Sequence, residues 1–270
     1  MRAVVRCVLA VTVTAASAVA GPTDIRLMAA VQSMTPSIES VLPARGSVVG
    51  VAHPVVVTFG APVTDRRAAE RALDITSVPP MTGRYEWTAD DTVQWAPDRF
   101  WPSHSTIALS VDGQTSAIQT GPAVVGTASI SKHSFTVTID GVPSGPDPAP
   151  ELPAPHHRPF FGQQGVFPAS MGRPEYPTPV DTYTVLAKER SVTMDSSSVG
   201  IPITDPDGYY LTVDYAVRIT SRGLFVHSAP WAVNSLGYEN VSHGCISLSP
   251  EDAEWYYNTV NVGDPVIVED

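Results

Sequence analysis

A cysteine and two histidines near the end of this chain have the side chains that nucleophilic chemistry requires. Cys245 ends the run Ser242-His243-Gly244-Cys245, and fourteen residues separate His227 from Ser242. A thiol has an ordinary pKa of about 8.5, so it needs a base or a positive field to react as a thiolate at neutral pH. An imidazole within hydrogen-bond reach can take that proton and later return it to a leaving amine. The pattern therefore predicts a cysteine nucleophile with a histidine base.

The glycine before the cysteine indicates how the backbone could assist this chemistry. Gly244 has no side chain, so it lets the chain come close to a substrate carbonyl. The N–H groups of Gly244 and Cys245 are then both candidate donors to an oxyanion, because backbone donors stabilise the negative charge that develops on a carbonyl oxygen. We expect an oxyanion hole at this run.

The cysteine count supports a chemical role for Cys245. The other cysteine, Cys7, lies in a predicted signal peptide over residues 1–20. Exported proteins usually pair their cysteines in disulfides, and Cys245 would have no partner in the mature protein. The alternative is a small apolar core residue, which we would favour in a cytosolic protein. Arg2 and Arg6 supply the positive start of this signal, and residues 8–13 form its apolar core. Residues 18–20 are its cleavage site.

Composition and targeting features indicate which partners the protein would bind and in which compartment it would lie. The net charge is −11, which disfavours nucleic acid as a partner. No stretch after the signal has the ~20 apolar residues that cross a bilayer, so we expect no transmembrane span. Cys7 lies too early for a lipoprotein cleavage site. The expected location is outside the cytoplasm, in a periplasm-like space or the cell wall, without a lipid anchor.

The first half of the chain after the signal predicts a tether followed by a β domain. Residues 21–40 are expected to be flexible, and residues 41–121 are interpreted as the domain. Asp65 is a predicted N-cap for a short helix over residues 66–72. Apolar runs and alternation of apolar with polar residues are typical of strands. Such segments are Val55–Phe59, Leu73–Val78 and Thr106–Val111.

Three tryptophans in this half have two possible roles. Trp87, Trp95 and Trp101 are expected to fill the core of the β domain, which is the usual role of buried aromatic side chains. A sugar-binding aromatic platform is the alternative. No nucleophile with a neighbouring base occurs in this half, so we assign it a positioning role.

The second half, residues 122–270, is also predicted to be mostly β, with one helix near its end. Ser249 is a predicted N-cap, with Pro250 at the first helical position, and we expect the helix to end at Gly263. The predicted strands are 135–139, 182–186, 211–219, 224–226, 246–248 and 265–268.

A proline-rich insert occupies residues 143–164. So much proline cannot continue a strand ladder and favours extended or disordered backbone. A solvated surface insert is the main interpretation. An arm that docks through Phe160 and Phe161 is the alternative. A metal site at His156 and His157 is the least favoured reading, because two adjacent histidines without a cysteine are a poor ligand set.

The chain resembles the bacterial L,D-transpeptidases at the residues that carry the chemistry. The resemblance rests on the linked pair of motifs, His-Ser-Ala-Pro-Trp at residues 227–231 and Ser-His-Gly-Cys at residues 242–245. It extends to 167–179, 194–197, 200–202, 207–210 and 213–217. The upstream half is similar to the immunoglobulin-like domain of actinobacterial members. The implied fold is an immunoglobulin-like β-sandwich followed by a catalytic β-sandwich.

The resemblance implies acyl transfer on peptidoglycan without a cofactor or metal. Cys245 would attack the carbonyl of the third residue of a tetrapeptide stem and release D-alanine, and a second stem's amine would then form a 3→3 cross-link. His227 would be the base, and Ser228 would orient it through its backbone carbonyl. His243 and Gly244 would line the oxyanion hole with Cys245. Carbapenems would acylate the same thiol.

The resemblance also implies a set of residues that contact substrate. Tyr209 would contact the donor or the oxyanion, with packing of the lid as the alternative. Ser242 and Trp231 belong to the two motifs and are expected to line the site. Ser247 stands where the family usually has asparagine, and Asp181 stands where relatives commonly have glycine. The serine hydroxyl is shorter than an amide and donates fewer hydrogen bonds.

Other classes of protein remain as alternatives from the sequence. A cell-wall carboxypeptidase or endopeptidase would use the same cysteine and histidine, although many such enzymes place the cysteine first. A non-catalytic wall-binding protein would not need them. A zinc site formed by His227, His243 and Cys245 is disfavoured, because structural zinc usually takes four ligands in paired spacings.

Overall fold

The computed structural model describes residues 35–147 and 162–270. The predicted signal peptide and most of the predicted tether lie outside these residues. So do residues 148–161 of the insert, including Phe160, Phe161 and the two adjacent histidines. Within the described ranges, neither helix has the length and apolar character that crossing a bilayer requires.

The first domain is a sandwich of two four-stranded sheets. The strands are β1 (Ile38–Leu42), β2 (Val48–Val49), β3 (Val55–Phe59), β4 (Thr76–Val78), β5 (Gly83–Trp87), β6 (Thr92–Pro97), β7 (Thr106–Val111) and β8 (Gln114–Thr120). One sheet has the order β1-β3-β6-β5, and the other has the order β2-β8-β7-β4. Helix α1 (Arg66–Leu73) connects β3 to β4.

The core of this domain lies between the two sheets. Trp95 and Trp101 are buried in it, so the prediction that they fill the core is confirmed, whereas Trp87 is only partly buried and packs against the core. The backbone N–H of Ala68 donates to the Asp65 side chain at 2.9 Å, which is the predicted N-cap.

Two boundaries of the first domain differ from the prediction. Leu73 ends α1 and is buried, so the strand predicted to start there begins at Thr76. The reason is that Leu73 completes the apolar face of the helix. Residues 38–40, expected in the tether, belong to β1, because Ile38 and Val41 pack against the domain core.

The second domain is built from two further sheets and a helix. The strands are β9 (Val124–Ser129), β10 (Ser134–Ile139), β11 (Val142–Pro143), β12 (Val166–Pro168), β13 (Asp181–Thr184), β14 (Ala187–Asp195), β15 (Tyr210–Arg218), β16 (Phe225–Ser228), β17 (Ile246–Leu248) and β18 (Pro265–Glu269). One sheet has the order β11-β10-β9-β18-β13, with β12 also paired to β10, and the other has the order β14-β15-β16-β17. The mostly β fold predicted from the sequence is confirmed.

Helix α2 (Pro250–Thr259) packs against β15 and β16 and closes one side of the core. Its N-cap is Ser249, whose hydroxyl accepts from the N–H of Asp252 at 3.1 Å. The helix ends at Thr259, and the expected end at Gly263 is wrong. Residues 260–264 form a loop in place of the last predicted turn, with Val260 extended as the C-cap.

That loop holds the two domains together. Gly50 donates its N–H to the carbonyl of Val262 at 2.9 Å, and Ala52 donates to the carbonyl of Gly263 at 2.7 Å. Gly263 has a φ of +94°, and a Cβ built on it would lie 2.6 Å from the Cβ of His53. Only glycine therefore allows this close approach of the two domains. The contact fixes the first domain beside the end of α2.

Candidate active site

Two neighbouring parallel strands bring His227 and Cys245 to the same face of a sheet. His227 lies in β16, and Cys245 directly precedes β17. The register pairs His227 with Ser247. Because side chains alternate along a strand, Cys245 lies on the same face as Ser247 and therefore as His227. Both side chains line a cavity of about 170 Å³.

The hydrogen bonds of His227 define which of its nitrogens can act as a base. The side chain is buried, with 3% of its surface exposed. Its Nδ1 lies 2.8 Å from the carbonyl oxygen of Ser228. A carbonyl only accepts, so Nδ1 carries the proton and Nε2 has the free lone pair. Ser228 thus orients the imidazole through its backbone.

Burial keeps this histidine and the cysteine neutral at rest. Desolvation lowers the pKa of His227 to about 4, against a smaller opposing effect of its bond to Ser228. Desolvation also raises the pKa of the Cys245 thiol to about 11. The Sγ atom lies 3.7 Å from the carbonyl oxygen of Gly223, which suits a thiol as a weak donor. At pH 7 the pair is a neutral thiol and a neutral imidazole.

The run from Ser242 to Cys245 forms a tight turn held by its own serine. The Ser242 hydroxyl donates to the carbonyl of Cys245 at 2.7 Å and accepts from the N–H of Gly244 at 3.0 Å. The expectation that the Gly244 N–H faces an oxyanion is therefore wrong, because the turn already uses that donor. The Ser242 hydroxyl is likewise engaged within the turn, although Ser242 lines the cavity. The backbone N–H of Cys245 remains the candidate donor in this run.

The backbone of Gly244 shows why glycine stands before the nucleophile. Its φ is +118°, a conformation that other residues rarely adopt. Its carbonyl accepts a hydrogen bond from the buried Thr178 hydroxyl at 2.7 Å, and Thr178 accepts from the N–H of Gly172 at 2.9 Å. The turn is thus fixed from the outside as well as from within.

Aromatic side chains form the walls of the cavity. Trp231 stacks on His227 with ring centroids 6.0 Å apart, and 57% of its surface is exposed. Tyr209 contacts the His243 ring from the segment between β14 and β15, residues 196–209, which we call the lid. Ser247 is buried at the floor. Three apolar residues complete the lining: Met194, Leu211 and Val241.

His243 lies between aromatic and charged neighbours. Its ring centroid is 4.9 Å from those of both Tyr176 and Tyr209. Its Nε2 lies 3.2 Å from Nη2 of Arg173, which also forms an ion pair with Asp207 of the lid. Desolvation, with a further contribution from the positive charge of Arg173, lowers the pKa of His243. The structure therefore brings together the two histidines, the cysteine and the aromatic residues that the sequence singled out.

Comparison with known proteins identifies the family of this chain. Residues 10–116 match the bacterial Ig domain family, and residues 160–268 match the L,D-transpeptidase catalytic domain family. The probable L,D-transpeptidase 3 of Mycobacterium tuberculosis is 69% identical over 100% of both chains. The chain belongs to the L,D-transpeptidase family. The resemblance seen in the sequence is thereby confirmed.

Solved structures of other L,D-transpeptidases have the same architecture. A structure of L,D-transpeptidase 3 from M. tuberculosis in complex with a faropenem-derived adduct has 70% identity and a TM-score of 0.81, covering 87% of this chain and 98% of that one. An L,D-transpeptidase in complex with imipenem has 49% identity and a TM-score of 0.77, covering 87% of this chain and 100% of that one.

Several residues around this L,D-transpeptidase site were missed by sequence reasoning. Arg173 and Asp207 are 34 positions apart, and no local pattern connects them. Thr178 lies within the matching stretch 167–179 without an assigned role, although it supports the turn at Gly244. The apolar residues that line the cavity follow ordinary strand alternation, so the sequence does not distinguish them from residues of the hydrophobic core. Only the short motifs were detectable.

We expect the thiol of Cys245 to alkylate slowly at neutral pH. Iodoacetamide reacts with the thiolate, so a pKa of about 11 means that the rate rises about tenfold per pH unit from pH 7 to 9 without levelling off. The measurement follows iodoacetamide labelling of the peptide that carries Cys245 by mass spectrometry, with glutathione as a reference thiol. A plateau with a midpoint below pH 8 would show instead that Cys245 and His227 rest as an ion pair.

Proposed function

We propose that this L,D-transpeptidase acts on peptidoglycan stems through a thioester on Cys245. The observation that carries the proposal is the shared cavity, which is lined by both Cys245 and His227, an imidazole whose Nε2 lone pair is free. A nucleophile and a base on adjacent rigid strands are the elements that acyl transfer requires. Family membership supports the same reaction.

The first half of the reaction forms the thioester. As Sγ attacks the carbonyl carbon of the third stem residue, its proton passes to Nε2 of His227. His227 then gives that proton to the amine of D-alanine, and the carbon–nitrogen bond breaks. The N–H of Cys245 and the hydroxyl of Tyr209 are the proposed donors to the developing oxyanion. His243 forms part of the wall beside them.

The second half transfers the acyl group to an amine. The side-chain amine of a second stem attacks the thioester carbon, and His227 takes a proton from that nitrogen. The carbon–sulfur bond breaks, and His227 returns the proton to the sulfur. A 3→3 cross-link forms, and the neutral thiol and imidazole are restored. Because burial keeps His227 unprotonated above about pH 5, the base is in its active form at neutral pH.

The side chains around the cavity suit a peptide substrate. Trp231 is exposed and flat against His227, so it is proposed to cover the apolar part of a bound stem. Ser247 lies beside the base in the strand register, where relatives usually have asparagine. Carbapenems are proposed as inhibitors, since opening of their strained amide by Sγ leaves the whole drug attached to the thiol.

The location proposed for the protein is outside the cytoplasm and not lipid-anchored. The support is the charged start, apolar core and small-residue cleavage site within residues 1–20. The stems of assembled peptidoglycan lie in that compartment. The first domain, fixed beside α2, is proposed to position the catalytic domain on the wall.

A defined tetrapeptide stem tests the proposed function directly. We expect the purified protein to release D-alanine and to form a dimer whose mass is that of two stems less one D-alanine. The matched control is the same stem with its side-chain amine acetylated, which can donate an acyl group but cannot accept one. It should give no dimer. Tripeptide and D-alanine without any dimer from the unmodified stem would indicate a carboxypeptidase instead.

A further inference from the structure

A charged cluster connects the lid to the turn that carries the nucleophile. We call Arg173, Tyr176, Asp207 and His243 the Arg173 cluster. Arg173 pairs with Asp207 of the lid and contacts His243 in the turn. The Tyr176 hydroxyl donates to Asp207 Oδ2 at 3.2 Å, and the Arg173 guanidinium lies 4.8 Å from the centre of the Tyr176 ring. Three separate segments therefore meet at one guanidinium.

The contact between Arg173 and His243 determines the tautomer of the imidazole and adds to the effect of burial on its pKa. A guanidinium only donates hydrogen bonds and stays charged at any ordinary pH. Its Nη2 lies 3.2 Å from Nε2 of His243, so Nε2 must be the acceptor. The proton of a neutral imidazole is then on Nδ1, and the backbone of Asp207 is a further hydrogen-bond partner of the ring. His243 can gain a second proton only by losing its bond to Arg173 and facing that positive charge.

Among the remaining neighbours of His243, Asp207 offsets part of this effect, because its charge and its backbone each raise the pKa of His243, by less than the Arg173 charge lowers it. The rings of Tyr176 and Tyr209 cover it, and neither is charged at neutral pH. Asp207 and Glu175 are the nearby carboxylates, and both pair with Arg173, Glu175 at 3.6 Å from Nε. The Cys245 thiol, two positions further along the turn, is also neutral at rest.

We propose that Arg173 is a positioning residue that holds His243 as the neutral Nδ1–H tautomer and so fixes the turn before Cys245 against the lid. The proposal rests on the proposed function in so far as it concerns the rate of acylation. With His243 held in this way, His227 is the one imidazole of the cavity free to accept the thiol proton. A released His243 would add a second titrating group beside the nucleophile.

The first test measures the titration of His243 itself and does not depend on activity. In proton NMR spectra, the His243 signal is assigned by its loss in His243→Gln. We expect its midpoint to lie below 6.5 in wild type and to move up towards 6.5 in Arg173→Met, which removes both the donor and the charge. Arg84→Met is the matched control, because Arg84 is an exposed arginine paired with Asp98 in the first domain, and it should leave the midpoint unchanged.

The second test measures acylation by imipenem between pH 5.5 and 8. Wild type should show a flat rate over this range, since His227 is already unprotonated. Arg173→Met should be about 10-fold slower at pH 7, and its rate should change with pH as His243 titrates. Arg173→Lys keeps one charged donor, so we expect it to restore the flat pH profile of the acylation rate. The rate itself should stay below that of wild type, because one ammonium cannot bond both His243 and Asp207 as the forked guanidinium does.

Two outcomes would overturn the proposal. One is an unchanged titration midpoint of His243 in Arg173→Met. The other is an Arg173→Met variant that is acylated more slowly but with the pH profile of wild type, which would indicate that Arg173 acts through packing alone. Should Arg173→Met fail to fold, Asp207→Asn keeps the guanidinium but removes a carboxylate that raises the pKa of His243, so the midpoint is expected to move further down, and a rise would overturn the proposal. Failure of wild type to react with imipenem would count against the proposed function, and the NMR titration would still decide the role of Arg173.

Discussion

Cys245→Ala is expected to abolish covalent capture of imipenem and cross-link formation, each by at least about 10⁴-fold. Sγ is the atom that forms the new bond in both reactions, and no second thiol is among the described residues that line the cavity. Intact mass spectrometry should show wild type heavier by one drug molecule and the variant unchanged. The thiol is half-buried, so the free energy of unfolding should fall by only about 1 kcal/mol.

A size-matched variant separates the thiol chemistry from the shape of the site. Cys245→Ser replaces sulfur by oxygen with little change in volume, yet a hydroxyl is far less acidic than a thiol, and His227 is a weak base at a pKa of about 4. We expect Cys245→Ser also to stay unmodified by imipenem. Capture of one drug molecule by Cys245→Ala would place the nucleophile elsewhere and contradict the proposed function.

The sequence predicted those parts of the fold that depend on local pattern. Val55–Phe59, Thr106–Val111 and Ile246–Leu248 form strands with the predicted bounds, because each is an apolar or alternating run bounded by turn residues. Helix α1 likewise begins at its predicted cap, Asp65. The pattern predicts Leu73 in a strand, because its side chain suits both a helix face and a strand face, and only the packing of the helix decides between them.

The site was predictable as a set of residues and not as a set of contacts. The spacing of His227 and Cys245 indicated the chemistry, but their separate strands become neighbours only through the parallel register of the sheet. The sequence predicts the Gly244 N–H as an oxyanion donor, since it does not show that the Ser242 hydroxyl folds back and accepts from that N–H. The pair of Arg173 and Asp207 depends on where the lid lies, which no local pattern specifies.

His227→Gln is expected to slow imipenem capture by about 10²–10⁴-fold at pH 7 without removing it. Glutamine is close in size and can still donate to the Ser228 carbonyl, but it cannot take the thiol proton that His227 Nε2 accepts. The residual rate should then follow the thiolate fraction of Cys245 and rise with pH towards about 11, whereas the wild-type rate should be flat near neutrality. Stopped-flow absorbance of the drug from pH 6 to 10 measures both profiles.

The matched control for this prediction is His104→Gln. His104 is an exposed histidine that pairs with Asp140 at 2.8 Å, away from the cavity, so its loss should leave the rate and the pH profile unchanged. A His227→Gln variant with the wild-type rate and a flat profile would show that another group removes the proton. His243 would be the first candidate, but its Nε2 already accepts from Arg173, and it could serve only after that bond is broken. The pH profile of His227→Gln therefore tests at once the identity of the base and the neutral resting state of the thiol.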